Sequence, residues 1–179
     1  MRNERLDTLK LRLRSDFAIS TISECSLDDA QSVTLVSDTD LPVYNFDSIV
    51  QNITTQFGRF LTPSSLDSLF VENGQMTFVE FKNMEWRNIK LSDVQLKIHE
   101  SITLLKMKYG LKDEDFHGTT VYIVHRPNPD VPATHRHHHS LNIPGKFKFI
   151  EASLQIRVIR YMADDFQVQL ALKKTLPFR

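Results

Sequence analysis

The fold is decided by residues 66–83, which read LDSLFVENGQMTFVEFKN. Two runs of β-prone residues flank Asn73-Gly74, a dipeptide typical of a two-residue type I′ turn, because both central positions of that turn need a positive φ. A two-residue turn also sets the pairing register, so Asp67 is predicted to stand directly opposite Glu80. The stretch therefore predicts a β-hairpin in which two carboxylates meet across the strands.

One face of this hairpin is apolar near the turn and ionisable at its far end. Successive residues of a strand point to opposite faces, so every second residue shares a face. The predicted face carries Asp67, Leu69, Val71, Met76, Phe78, Glu80 and Lys82. We therefore expect charged residues at the end of a face that is otherwise buried.

The charged end of this face suits a hard divalent cation, because Mg²⁺ and Mn²⁺ prefer carboxylate and carbonyl oxygens. We expect the ion to be held by Asp67, Glu80 and the backbone carbonyl of Phe81. There it would activate a water and polarise a phosphate, while Lys82 stabilises the developing negative charge of phosphodiester hydrolysis. The spacing leaves a second interpretation open, in which Glu80 and Lys82 form an ordinary charge pair at a sheet margin.

The composition bounds the class of protein. The chain has 179 residues, 41% of them hydrophobic, and 22 Lys and Arg balance 22 Asp and Glu. These values predict one globular domain over residues 1–179, in which only a local patch could attract nucleic acid. The single cysteine, Cys25, excludes an intrachain disulfide and a cysteine-based zinc site and favours a cytoplasmic location. No stretch approaches the ~20 apolar residues of a membrane span, so we expect no membrane insertion.

Periodicity predicts further elements on both sides of the hairpin. Helices are expected over residues 6–17, 46–58 and 94–109, the last capped by Ser92-Asp93. Strands are expected over residues 33–36 and 119–124. Alternating apolar residues in the tail predict two more strands, paired antiparallel, within residues 147–173.

The order of these elements resembles a known superfamily. A helix, an Asp-bearing strand, an Asn-Gly turn, the strand Glu80-Phe81-Lys82, a helix and a strand follow one another over about residues 46–124. This pattern resembles the PD-(D/E)xK nucleases, with Asp67 at the position of the first motif acid. The resemblance implies an α/β fold of restriction-endonuclease-like type, with a mixed central sheet flanked by helices, and a Mg²⁺-dependent nuclease activity.

The helix after the hairpin carries a second match. Residues 92–99 resemble the glutamine-containing helix of RecB-like and Cas4-like members, in which a glutamine and an aromatic residue four positions later lie beside the site. Carried over to this chain, those positions are Gln95, a catalytic candidate, and His99; each has the alternative interpretation of an ordinary helix residue. Members often add an acid from the preceding helix. Only Asp47 is available here, which leaves the third metal ligand open.

A basic segment follows this core. Residues 126–145 are rich in proline, contain the run from His135 to His139, and predict a long exposed loop. Its histidines could bind zinc or nickel, contact phosphates when protonated, or be solvated. The predicted nucleic-acid contacts in and near this loop are Arg126, Arg136, Lys146 and Lys148. Trp86 and Arg87, just past the hairpin, either stack on a base and contact phosphates or anchor the loop.

The sequence therefore predicts a divalent-metal-dependent nuclease acting on DNA, with RNA as a second candidate substrate. A homodimer would suit two cuts across a duplex by one small domain. The alternative is a non-catalytic module that keeps the nuclease fold and binds nucleic acid or a protein partner. Neutral net charge favours this alternative, whereas the complete set of Asp67, Glu80 and Lys82 argues against it.

Overall fold

The chain is an α/β protein in which helices alternate with strands. The computed structural model describes residues 2–28, 30–37, 41–57, 63–127, 129–130 and 145–175. The helices are α1 (Arg2–Asp16), α2 (Ile22–Cys25), α3 (Phe46–Phe57), α4 (Leu91–Tyr109), α5 (Gly145–Leu154) and α6 (Ala163–Thr175). The strands are β1 (Ser20–Thr21), β2 (Leu27–Asp28), β3 (Val33–Thr34), β4 (Pro42–Asn45), β5 (Ser68–Glu72), β6 (Gln75–Glu85), β7 (Thr120–Arg126) and β8 (Arg157–Met162).

Six strands form one mixed sheet in the order β1-β4-β5-β6-β7-β8. The pairs from β1 to β6 are antiparallel, whereas β7 and β8 run parallel to β6. A parallel neighbour requires the chain to cross back over the sheet. α4 lies in the crossing between β6 and β7, and α5 in the crossing between β7 and β8. The predicted mixed central sheet flanked by helices is confirmed.

The Asn-Gly hairpin and its register are also confirmed. Asn73 and Gly74 have φ angles of 50° and 67°, and the ladder of β5 and β6 follows the predicted pairing. Pairing continues one residue beyond β5, because the backbone N–H of Asp67 donates to the carbonyl of Val79 at 3.1 Å. Asp67 therefore stands opposite Glu80.

Helices α1, α3, α4 and α5 cover the side of the sheet that we call the α4 face. Its buried strand residues are the apolar ones predicted for the hairpin, together with members of β7 and β8, and the helices pack apolar stripes onto them. The strands contribute Leu69, Val71, Met76, Phe78, Val121, Ile123 and Val158, and the helices contribute Leu9, Ile49, Ile98 and Phe147, among others. On the opposite side, Val79 and Val124 pack with Phe166 and Leu170 of α6.

The prediction for the tail is wrong. Residues 147–173 form α5, the parallel strand β8 and α6 in place of two antiparallel strands. In α5 the side chain of Phe147 is buried, whereas Phe149 is 76% exposed, so the two do not share a face. The buried side chains described in α6 are Ala163, Phe166 and Leu170, which have the i, i+3, i+7 spacing of a helix. Short apolar alternations fit both periods, and packing on the sheet decided between them.

Smaller differences concern helix ends and short strands. α4 begins at Leu91 with Lys90 at its N-cap, and Asp93 forms an ion pair with Lys90 at 3.1 Å instead of capping the helix. Strand β4 was not predicted, and the strand predicted over residues 33–36 is shortened to β3. None of the helices that the described residues form is both long and apolar enough to cross a bilayer.

Candidate active site

Two carboxylates meet on the α4 face, at the end of the hairpin that lies far from the Asn-Gly turn. Glu80, on β6, is fully buried, and the Asp67 side chain is 17% exposed. The backbone N–H of Phe81 donates to Asp67 Oδ2 at 2.5 Å, which holds the aspartate against the neighbouring strand. The hairpin register thus delivers both acids to one point, as the turn chemistry predicts.

Two lysines contact these acids. Lys82 Nζ lies 2.7 Å from Glu80 Oε1. Lys97 Nζ, from α4, lies 2.8 Å from the same oxygen and 3.4 Å from Asp67 Oδ1. One ammonium group therefore bridges the two carboxylates, and a single cation can reach both. When both acids are ionised, the four side chains carry no net charge together.

Sequence reasoning missed Lys97. At 100° per residue, Gln95 and Lys97 lie 200° apart around α4, on opposite flanks of the buried stripe formed by Val94, Ile98 and Ser101. Lys97 occupies the flank that reaches the acids. A signal was present, because Lys97 sits three residues after Val94 and four before Ser101, on the margin of an otherwise uncharged stripe. Gln95 is half-buried and His99 is exposed, and the role of Gln95 stays a prediction.

The electrostatics of the site follow from burial and crowding. Burial, and then the charge of Glu80, raise the pKa of Asp67 well above its usual range, although Lys97 opposes this shift. Burial alone would lower the pKa of Lys97, but the charges of Asp67 and Glu80 outweigh it, so the pKa is raised. The lysine thus stays protonated and compensates a pair of acids that would otherwise repel each other.

Asp47 lies at the margin of the site. It stands in the first turn of α3, and the hydroxyl of Ser65 donates a hydrogen bond to its Oδ1. Its charge contributes to the raised pKa of Asp67, so the two acids are electrostatic neighbours. Whether Asp47 supplies the third metal ligand stays open.

The donor chemistry fits a hard divalent cation. Glu80 Oε2 is buried and has no hydrogen-bond partner among the residues that the structure describes, so it is free to accept a cation. Both acids already contact one ammonium group. Across the described parts of the chain, no group of three or more His, Cys, Asp or Glu side chains is arranged to hold a metal. An ion would therefore need backbone oxygen, such as that of Phe81, and water to complete its coordination.

The predicted nucleic-acid contacts are only partly visible. Arg126 ends β7, is exposed, and donates to Gln31 Oε1 at 3.4 Å. Lys148 is exposed on α5, and Lys146 belongs to the same helix. Arg136 and the run from His135 to His139 lie outside the described residues. The patch predicted from these residues stays a prediction.

Comparisons with protein-family models, with curated proteins and with solved structures give no match to this chain.

Proposed function

We propose that the chain is a divalent-metal-dependent nuclease of restriction-endonuclease-like fold that hydrolyses phosphodiester bonds of DNA, with RNA as a second candidate substrate. The observation that carries the proposal is the convergence of Asp67 and Glu80 on one cation position beside Lys82. The surrounding topology supports it. An antiparallel hairpin is followed by a helix and a parallel strand, which is the order that the sequence resemblance implies.

Each residue has a distinct task in this proposal. Asp67, Glu80 and the carbonyl of Phe81 would hold Mg²⁺ or Mn²⁺, which when bound supplies a Lewis acid and lowers the pKa of water. The hydrogen bond from the Phe81 N–H orients Asp67. Lys82 is held at Glu80 and is placed to stabilise negative charge that develops on a phosphate. Lys97 compensates the two carboxylates before a metal arrives.

A non-catalytic binding module is the second candidate, and Lys97 favours it. Its ammonium group already contacts both acids and Lys82 contacts Glu80, so two lysines compensate the carboxylates without any metal. A chain of this kind would bind nucleic acid or a protein partner without cutting.

Cleavage assays separate the two candidates. Single- and double-stranded DNA and RNA are incubated with the wild type with and without Mg²⁺, and Mn²⁺ binding is measured by calorimetry. Glu80→Gln should abolish both cleavage and Mn²⁺ binding, because it removes a buried anionic ligand. Lys82→Met should keep Mn²⁺ binding and lose roughly 10²–10³ in turnover. Glu72→Gln, at the exposed turn end of the same hairpin, is the matched control and should behave as wild type.

Two outcomes of these assays would contradict the proposed nuclease. A wild type that binds Mn²⁺ through Glu80 but cuts no substrate supports the binding module. Undiminished cleavage by Glu80→Gln means that the active site is assigned to the wrong residues.

A further inference from the structure

A second polar cluster lies on the α4 face, two strands away from the carboxylates. In the parallel ladders Glu80 pairs with Ile123, which pairs with Arg160, and Lys82 pairs with His125. Register partners point to the same face. At a strand spacing of about 4.8 Å, the Cα of Arg160 lies about 10 Å from that of Glu80. Glu80, Ile123 and Arg160 therefore form a row across three strands, from the proposed active site to Arg160.

Two aromatic groups fix the orientation of Arg160. Its Nε donates to His125 Nε2 at 2.8 Å, and its guanidinium carbon lies 4.5 Å from the centre of the Trp86 ring. His125 Nδ1 is 2.7 Å from the carbonyl of Arg126. Arginine only donates, so His125 must be neutral with its proton on Nδ1. The histidine and the tryptophan thus hold the guanidinium from its Nε edge and from one face.

The charge of Arg160 has no acidic partner in the described part of the chain. The ion pairs formed there use Lys82, Lys97, Arg5, Arg87 and others, but not Arg160. The guanidinium is half-buried and stays charged at physiological pH. An oriented, partly desolvated and uncompensated guanidinium favours an anion, and phosphate matches its paired N–H donors.

The cluster of Trp86, His125 and Arg160 lies where a ligand of the sheet is expected to bind. Trp86 follows β6 directly, Arg126 ends β7, and Arg160 stands near the end of β8, so all three lie toward the carboxyl ends of the parallel strands. Ligands of open α/β sheets bind at these ends. Arg126, one residue after His125 on β7, points to the opposite side of the sheet and donates to Gln31 Oε1, so it is not part of this cluster.

We propose that Arg160, oriented by His125 and Trp86, binds a backbone phosphate of the nucleic-acid strand whose cleaved phosphodiester occupies the Asp67–Glu80 site. The inference rests on the proposed function for the identity of that strand. His125 and Trp86 act as positioning residues, and Trp86 also reports occupancy, since it is the only tryptophan of the chain.

The test is a binding experiment without metal, so that cleavage plays no part. A short single-stranded deoxyoligonucleotide, a duplex of the same sequence and inorganic phosphate are titrated in EDTA against Trp86 fluorescence, over a range of salt concentrations. Arg160→Met should weaken oligonucleotide binding several-fold and make the slope of log K against log[salt] shallower by about 0.7 on the single strand or 0.9 on the duplex. Arg160→Lys keeps the charge and should recover most of the slope without the full affinity.

The control is Arg157→Met, at the exposed opposite end of the same strand, which should leave the slope unchanged. Circular dichroism verifies that each variant is folded. If Arg160→Met does not fold, the comparison rests on Arg160→Lys, whose wild-type affinity and slope would overturn the proposal.

The two proposals fail in different ways. An unchanged salt slope for folded Arg160→Met overturns the phosphate site, even if the wild type cleaves DNA. An Arg160-dependent slope in a protein that cuts nothing with Mg²⁺ supports the phosphate site and removes the nuclease. Inorganic phosphate binding as tightly as the oligonucleotide overturns the assignment to a nucleic-acid strand.

Discussion

At the residue scale, the site is a balance of buried charges. Asp67 and Glu80 are close enough to share Lys97, and Glu80 also contacts Lys82. Neither carboxylate would be stable at this burial without a cation, because desolvation and mutual repulsion both disfavour the ionised forms. The lysines therefore serve the stability of the fold as well as any chemistry.

Removing the bridging lysine should expose this balance. Lys97→Met leaves the acids with Lys82 alone, and we expect a loss of about 3 kcal/mol in the free energy of unfolding at alkaline pH. The loss should shrink as the pH falls, because protonation of Asp67 removes the repulsion. Urea unfolding at acidic and alkaline pH measures it. Lys106→Met is the control, since Lys106 lies on the same helix as Lys97 but forms an exposed pair with Asp113 beyond the end of that helix; this variant should cost under about 1 kcal/mol. Equal losses for the two variants would contradict the prediction.

His125 should make the free energy of unfolding depend on pH in the acidic range. Burial, and then the charge of Arg160, lower its pKa to about 4 from 6.5, whereas its backbone hydrogen bond to Arg126 opposes the shift. The folded pKa lies below the unfolded one, so the stabilisation is complete above pH 6.5 and is lost as the pH falls toward 4. The full loss is up to about 3 kcal/mol.

The measurement compares chemical unfolding of the wild type and His125→Gln across this pH range. The variant has no titrating group at this position, so its stability should fall less steeply. Parallel curves would show that His125 is not buried in its neutral form.

Among the secondary-structure elements, some are specified by their own residues and others depend on distant partners. The Asn-Gly turn determines its own register, and Gly110 ends α4 with a φ of 68°, where glycine is unstrained. α5, β8 and α6 depend on distant partners. β8 is stabilised as a parallel strand by its hydrogen bonds to β7. α6 is stabilised by packing its apolar residues on the side of the sheet opposite the α4 face.

Two matched substitutions test the helical assignment of α6. In a strand Phe166 and Val168 would share a face, but in the helix Phe166 is buried and Val168 is 57% exposed. Phe166→Ala should therefore cost about 3 kcal/mol or more, through the cavity it leaves. Val168→Ala should cost under about 0.5 kcal/mol. Denaturant unfolding gives both values, and a large loss for Val168→Ala would favour the strand.

At the scale of the whole molecule, the site is assembled from distant segments. Asp67 precedes β5, Glu80 and Lys82 belong to β6, and Lys97 comes from α4. Arg160 reaches the same face from β8. The elements share one large apolar cluster on the α4 face, so the site should form only when that cluster packs.

Cooperative unfolding is the expected consequence. Trp86 packs against the apolar cluster and contacts Arg160, so its fluorescence follows tertiary packing, whereas far-ultraviolet circular dichroism follows the helices. We expect the two transitions in guanidinium chloride to coincide, as in a two-state domain. Separate midpoints would show that the helices outlast the packing around the site, in conflict with a single cooperative unit.

Features that depend on near neighbours follow from the amino-acid sequence alone. The Asn73-Gly74 turn specified the hairpin register, and through it the meeting of Asp67 with Glu80, because a two-residue turn admits one pairing. Helical periodicity likewise located α1, α3 and α4 to within a few residues.

Contacts between residues far apart in the chain are set by tertiary packing. Lys97 lies 30 residues from Asp67, and Arg160 lies 35 residues from His125, so the pattern within either segment cannot specify which distant residue it contacts. The tail became helix, strand and helix because its alternating apolar residues fit either period, and burial against the sheet selected the one that covers it. Local chemistry could therefore predict the carboxylates and Lys82 on the same hairpin, whereas the contacts of Lys97 and Arg160 are set by packing.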